Sequence, residues 1–391
     1  MSNTSTARVS CPMRVAFITH YAEMFGANRS LLNLIDGLRP YGVESFVITP
    51  DLGDFTKALE ERGVAFRQLA IQEWMVTSPA VRNRWQRLYL NLRSLPHLLS
   101  QLRKWQIQIV YSNSSVFAVG QVAALLLRTP HIWHFREFGE LHYGMRLDWG
   151  RRSFDFLVSK SDARIAVSNC IRERLLYAQL NGKVHVIYNG VATEAEFDQL
   201  CREAEGREWT HRAFTFLMVG LFHPAKRQEQ AIRAFARVAQ QFPNTRLLLV
   251  GSADTPYADT CRNLVARLGL GGKVAFPGWV SDPFPLYLKA NALLMCSQYE
   301  AMGRVTAEAM AACLPVIGSD SDGTPELVEH ERTGLLYHDG EEGLARCMAR
   351  FIENPMWARE LGQQGWQVAR SKFTSELYAR QVYDVLQSVR K

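Results

Sequence analysis

Residues 299–310 read Tyr-Glu-Ala-Met-Gly-Arg-Val-Thr-Ala-Glu-Ala-Met, "YEAMGRVTAEAM", and are entered from the apolar run "ANALLMCS" (290–297). The apolar run has the character of a buried strand, and "RVTAEAMAACL" (304–314) has that of a helix. Gly303 therefore falls at a strand-to-helix turn, and the free N–H groups of about 303–306 open toward the strand tips. Such a helix start binds phosphate through its N–H groups and dipole. Arg304 adds a formal positive charge, Glu308 lies one turn beyond it on the same face, and Glu300 sits in the loop. The stretch offers an anion site flanked by two acceptors suited to hydroxyls, the layout of a sugar joined through phosphates to a nucleoside. The plainer alternative is an exposed helix start whose acids complement the dipole.

The same junction recurs along the chain. "RVAFITH" (14–20), "VESFVITP" (43–50), "AFRQLAI" (65–71), "IQIVYSN" (107–113), "HIWHFRE" (131–137), "ARIAVSN" (163–169) and "KVHVIYN" (183–189) are strand-like. So are "FTFLMVG" (214–220), "TRLLLVGS" (245–252), "VAFPGWV" (274–280), "ALLMCSQ" (292–298) and "PVIGSD" (315–320). Helical-period stretches lie between most of them; in "RQEQAIRAFARVAQQF" (227–242) the apolar positions are Ala231, Ile232, Phe235, Val238 and Ala239. Near-continuous apolar strands alternating with helices indicate parallel sheets covered on both faces. The expected fold is α/β, with two Rossmann-like doubly wound domains whose sheets face each other across a cleft. We place the first at 1–192 and the second at 193–372, with a C-terminal helix at about 373–391 available to pack back on the first. Polar residues gather at the strand tips, where open parallel sheets bind ligands.

A chain of 391 residues with 47% hydrophobic and 21% charged residues suits two globular domains. No apolar run is long enough to span a membrane, and the first twenty residues lack the apolar core of a secretory signal. Seven cysteines without CxxC spacing suit a reducing, cytoplasmic compartment and argue against structural zinc. Charge is uneven: residues 1–190 hold 23 Lys+Arg against 14 Asp+Glu, and no acid lies between Glu73 and Glu137. Within that gap, "VRNRWQRLYLNLRSLPHLLSQLRKW" (81–105) interleaves arginines with Trp and Leu on helical spacing. Such a surface suits anionic lipid, at the inner face of the cell membrane. The alternative is an amphipathic helix packed on its own domain. No nucleic-acid-binding pattern accompanies the charge.

With those residues in view, a family resemblance becomes specific. Glu300 and Glu308, followed by "AMAACLPVIGSDSDGTPELVEHERTGLLY", resemble the signature of family 4 glycosyltransferases, retaining enzymes of GT-B fold. "VGLFHPAKRQEQAIRAFARV" is similar to that family's phosphate-binding segment, and "VAFPGWVSDPFPLYLKANALLMCS" to the part that holds the base. "VIYNGV" resembles its interdomain hinge and "FGANRSLLNLIDGL" its N-terminal glycine loop. The resemblance spans roughly 13–385. It implies a UDP- or GDP-linked sugar as donor, an acceptor hydroxyl, and no metal or other cofactor; the basic segment 81–105 points to a glycan or glycolipid acceptor, as in surface-polysaccharide assembly. It implies that Glu308 takes the ribose hydroxyls and Glu300 those of the transferred sugar. Backbone N–H groups around Met302, Gly303 and Arg304 would hold sugar and phosphate, Lys226 the departing diphosphate, and Gly26 would let its loop approach. His134 matches a family histidine over the sugar ring, and Arg136 and Glu137 are candidates for the acceptor.

The chain also departs from the pattern. Leu221 stands where the family usually has a cation, Arg227 where it has a glycine, and Arg227 or His223 is left to substitute for the missing charge. His134 as a core histidine, Lys226 as a solvated lysine, and Arg136 pairing simply with Glu137 are the plain readings. Trp279 could stack on the base, pack in the core, or mark backbone contacts from 278–280. Asp320-Ser321-Asp322 spells a metal-binding triplet but lacks a second ligand cluster. Other classes to weigh are an epimerase using the same donor and a scaffold that binds a nucleotide sugar without turnover.

Overall fold

The computed structural model describes residues 12–77, 83–139, 144–179, 184–210 and 214–390. Two parallel sheets organise it. The first has seven strands in the order Ala65–Gln68, Val43–Thr49, Met13–Ile18, Ile109–Ser112, His131–Phe135, Ala163–Ala166, Val184–Val186. The second has six, in the order Val274–Gly278, Thr245–Val250, Phe214–Val219, Ala292–Met295, Val316–Ser319, Gly334–Tyr337. The central strands are buried throughout because helices cover both faces. The helix Gln228–Gln241 buries Ala231, Ile232, Phe235, Val238 and Ala239, the stripe its period predicts.

Each sheet reverses its strand order once. In the first the reversal lies between Met13–Ile18 and Ile109–Ser112, in the second between Phe214–Val219 and Ala292–Met295. Loops leaving neighbouring strands at such a point diverge to opposite faces and open a crevice. The second crevice also needs Gly251: a Cβ there would lie 1.9 Å from the Gly220 carbonyl oxygen, so the two strand ends approach only because the side chain is absent.

The chain passes between the halves twice, side by side. Val191 N donates to the Phe373 carbonyl at 2.9 Å and Ser375 N to that of Ala192 at 2.8 Å. The helix Ser375–Val389 then packs against Gly26–Leu38, burying Tyr378, Ala379, Val382 and Leu386. A Cβ at Gly37 would meet that of Ala379 at 2.6 Å, which explains the glycine.

The basic stretch 81–105 forms the helix Arg84–Lys104, started by Asn83 and Gln86 in a capping box; positions 81 and 82 lie outside the described residues. Leu98 and Leu102 are buried, whereas Trp85, Tyr89 and Leu92 are exposed. Among the described residues no helix is long and apolar enough to cross a membrane.

Candidate active site

The two crevices face each other and form one cavity of 540 Å³. From the first half it is lined by His20, Tyr21, Phe25, Gly26, Arg29, Val116, Arg136 and Glu137. The second half contributes Gly220, Leu221, Lys226, Trp279, Glu300 to Val305, and Glu308. Ten of the eleven residues singled out from sequence thus line one space, Met302 among them although it is only 2% exposed. His134 does not.

Gly303 caps the helix Arg304–Ala311 with φ +78, a left-handed conformation suited to glycine. A Cβ there would stand 3.3 Å from both Glu300 Cγ and Thr306 Oγ1. This turn brings Glu300 back over the helix start, where its Oε2 accepts from Lys226 Nζ at 2.7 Å. Lys226 arrives from the other side of the reversal, at the end of the short turn Pro224–Lys226. Lys226 and Glu300 are therefore neighbours, each holding the other in place.

Glu308 is buried, and both its oxygens are engaged: Oε1 accepts from Arg304 Nε at 2.7 Å and Oε2 from Tyr287 OH at 3.0 Å. Burial and the Glu308 carboxylate push the Tyr287 hydroxyl well above its ordinary pKa, so it remains a donor. Tyr287 was not among the residues expected; its signal is a tyrosine on the helix Phe284–Lys289, inside the segment that resembles the family's base-holding part. Arg304 corrects a sequence expectation. Its other nitrogens donate to Ser30 Oγ at 2.9 Å, to the Gly190 carbonyl at 3.0 Å and to that of Val191 at 3.4 Å. It ties the helix start to the opposite half.

The N-terminal wall brings further corrections. His134 is fully buried inside the strand His131–Phe135. Its Nδ1 bonds Tyr111 OH at 2.6 Å, and its ring lies 6.4 Å from that of Tyr378 on the C-terminal helix. Strand alternation turns it to the face of the sheet on which the C-terminal helix packs, away from the cleft. The histidine in the cleft wall is His20, at the tip of the first strand, kept neutral by burial, which lowers its pKa to about 3. Arg136 and Glu137 do not pair with each other. The Arg136 guanidinium donates to Asn113, Asn189 and Tyr378, bracing the strand tips against the C-terminal helix. Glu137 accepts from Ser114 Oγ, Ser115 N and Ser115 Oγ at 2.6, 2.9 and 3.0 Å. Both line the cavity, yet both are already held by the protein.

Trp279 is 50% exposed at the rim, not a core residue. Around Gly26 a Cβ would meet nothing within 4 Å, so the glycine leaves room on the cavity side. The missing cation at Leu221 is not replaced in place. Arg227 has φ +58, which accounts for a glycine being usual there, and its guanidinium turns to Gln298. His223 caps the turn through Nδ1, and burial together with Lys226 lowers its pKa. A cation from the opposite half lines the cavity instead: Arg29, which sequence reading missed. Its Nη2 donates to the Ser281 carbonyl across the cleft. In the triplet at 320–322, Asp322 binds Tyr299 N at 3.0 Å and pairs with Arg174, while Asp320 meets His338. Among the described residues no group of three His, Cys, Asp or Glu side chains is placed to hold a metal ion.

Comparison with known proteins agrees with this architecture. The family model described as glycosyl transferases group 1 matches residues 202–368, and that described as glycosyltransferase family 4 matches 25–195. The N-acetyl-alpha-D-glucosaminyl L-malate synthase of Bacillus anthracis is 28% identical over 59% of this chain and 62% of its own length. The alpha-maltose-1-phosphate synthase of Mycolicibacterium smegmatis is 29% identical over 69% of this chain and 76% of its own. Among solved structures, Anabaena Alr3699/HepE in complex with UDP-glucose superposes with a TM-score of 0.76 at 21% identity, covering 96% of this chain and all of that one.

Proposed function

The chain belongs to the family 4 glycosyltransferases of GT-B fold, and from that premise we propose that it moves a sugar from a nucleotide diphosphate to an acceptor hydroxyl with retention and without a metal. The observation that carries this reading is the meeting of Lys226, Glu300 and the Gly303 helix start in one cavity, opposite Gly26 and Arg29. Diphosphate bound at the helix N–H groups would draw Lys226 toward itself, and Glu300 would exchange part of that ion pair for sugar hydroxyls. Glu308, held by Arg304 and Tyr287, would accept from the ribose, and the 278–280 edge with Trp279 would take the base. UDP is the nucleotide favoured by the HepE complex, with GDP as the alternative.

In the transfer step the bond from the anomeric carbon to the diphosphate oxygen breaks. The acceptor oxygen bonds to that carbon from the same face, and the hydroxyl proton passes to the departing phosphate. Lys226 and the fixed helix dipole stabilise the charge that develops there. The acceptor enters from the wall formed by Glu137 and Arg136. The two relatives make different products, so the acceptor must be read from this chain's own N-terminal half. Its basic, Trp- and Leu-bearing helix favours an acceptor on a lipid at an anionic membrane surface.

The test is a thermal-shift series with UDP, GDP, ADP and their sugars, followed by transfer assays. A nucleotide at a hundred times its dissociation constant raises stability by about 2.7 kcal/mol. No response to any nucleotide would end the donor reading. Donor turnover without an acceptor, beyond slow hydrolysis, would favour an epimerase. Because Leu221 stands where the family usually has a cation, a scaffold without turnover is the other reading; it gains if Glu300→Ala leaves transfer in cells unchanged.

A further inference from the structure

A second cavity, of 610 Å³, opens on the N-terminal half between the helices Arg84–Lys104, Val119–Leu127 and Gly150–Ser159. Leu88, Leu92, Leu95, Val122, Phe156 and Leu157 line it. Leu92 and Phe156 are 57% and 60% exposed, an unusual cost for a surface with nothing against it. The acids of this groove lie at its floor. Asp148 forms a buried pair with Arg87, with Nε to Oδ2 at 2.9 Å, and Glu73 lies beside them. The outer charge is cationic. Arg152 lines the groove, and the Arg84 guanidinium lies 5.3 Å above the ring of Trp149, another lining residue.

The groove shares a wall with the active-site cleft. Trp74, Ala118 and Asp148 face the groove, whereas Thr77, Val116 and Met145 face the cleft. Between them runs the antiparallel pair Met75–Val76 and Arg146–Leu147, held by Trp74 N to the Val116 carbonyl at 2.8 Å and Asp148 N to that of Trp74 at 2.9 Å. An apolar groove thus begins one strand pair away from the acceptor side of the cleft.

We propose that this groove holds the hydrocarbon chain of an anionic lipid-linked acceptor, whose hydroxyl-bearing end reaches the cleft around that strand pair. The proposal rests on the transferase reading above. A bilayer surface would be met by the exposed Trp85 and Tyr89, which lie outside the groove; the concave apolar groove itself is filled by a chain that leaves the bilayer. The cationic outer residues complement a phosphate at the chain's head, and the buried Asp148, paired with Arg87, does not oppose it.

The test is calorimetric titration of the full-length protein with alkyl phosphates from butyl to hexadecyl, each below its micelle concentration. Binding is expected to tighten about fourfold per added methylene, the equivalent of ~0.8 kcal/mol, until the groove is full. In the variant Leu92→Asp/Phe156→Asp this chain-length dependence is lost and the longest chains bind at least tenfold more weakly. Both side chains are mostly exposed, so the variant is expected to fold and to keep the wild-type thermal response to nucleotide. Chain-length-independent binding in the wild type, or the same dependence in the variant, overturns the proposal. So does adsorption to phosphatidylglycerol vesicles without affinity for single alkyl phosphates, or a dimer that the variant abolishes. The nucleotide response reports on the donor reading separately: its loss with chain-length dependence intact would fault the transferase, and the converse only the groove.

Discussion

Glu308 reaches the cleft with both oxygens engaged by Arg304 and Tyr287, whereas Glu300 is paired with the lysine expected to meet the diphosphate. Truncating Glu308 therefore does two things at once. Glu308→Ala leaves a half-buried arginine without its carboxylate and a buried hydroxyl without its acceptor, a loss of roughly 2–4 kcal/mol. Glu308→Gln keeps an acceptor for Tyr287 and costs less. Both variants should raise the donor KM at least tenfold, but only the alanine should melt markedly lower. Equal melting of the two would show that the pair carries little stability. Glu300→Gln should instead cut kcat by roughly 10²–10³ with donor affinity little changed; the reverse split would exchange the two roles. Gly303→Ala places a residue at φ +78 and a Cβ against Glu300, so about 1–2 kcal/mol of stability should go. Its kcat should fall further than the melting temperature implies, because Glu300 is displaced; calorimetry beside steady-state rates separates the two effects.

At the scale of elements, the helix Arg84–Lys104 serves two surfaces. Leu98 and Leu102 complete the core, and Leu88, Leu92 and Leu95 line the groove. Its spacing announced an amphipathic helix but left open what the apolar face touched, because a stripe of leucines reads alike whether it meets protein or lipid. Beneath it, Glu73 carries a pKa raised to about 7, by burial first and then by Glu137, with Arg87 opposing. Below pH ~4.5 the carboxyl is protonated in folded and unfolded chains alike. Between that pH and about 7 the unfolded chain ionises first, so stability falls as pH rises through this window. Glu73→Gln removes the penalty. It should melt as the wild type does near pH 4.5 and higher at pH 8, by on the order of 1–2 kcal/mol after allowing for solvent screening. Parallel melts across that range check it; a gap that closes toward pH 8 would contradict the assignment.

The whole molecule is a pair of sheets joined by two adjacent chain crossings, with contacts bridging the halves on the cleft side and away from the crossings. Arg304 reaches Ser30 and Gly190, and Arg29 reaches Ser281. Elsewhere the Glu326 carboxylate accepts from Asn169 N, Cys170 N and Tyr188 OH at 2.8, 2.7 and 2.7 Å, capping the helix Asn169–Arg174 from the opposite half. Hydrogen bonds to a charged group contribute about 1.5–3 kcal/mol. Glu326→Ala should therefore loosen the closed form: a larger radius of gyration by X-ray scattering and a kcat/KM lower by about tenfold. An unchanged profile with unchanged kinetics would show that this contact carries no closure energy.

What the sequence determined by itself was the architecture and the second half of the cleft. Strand and helix periods, and the turn chemistry that needs Gly303, are local, so Glu300, Glu308 and the helix start could be read from spacing within one or two elements, and Lys226 came with the family resemblance. What only the tertiary structure decided were the partnerships between elements. It put Tyr287 on Glu308, turned Arg304 and Arg136 into braces between the halves, and withdrew His134 behind Tyr111 while leaving His20 in the wall. It also folded the basic helix over two others to leave a groove beside the cleft. These outcomes depend on strand order and on which face of a strand each side chain takes, and both are set by contacts between residues far apart in the chain.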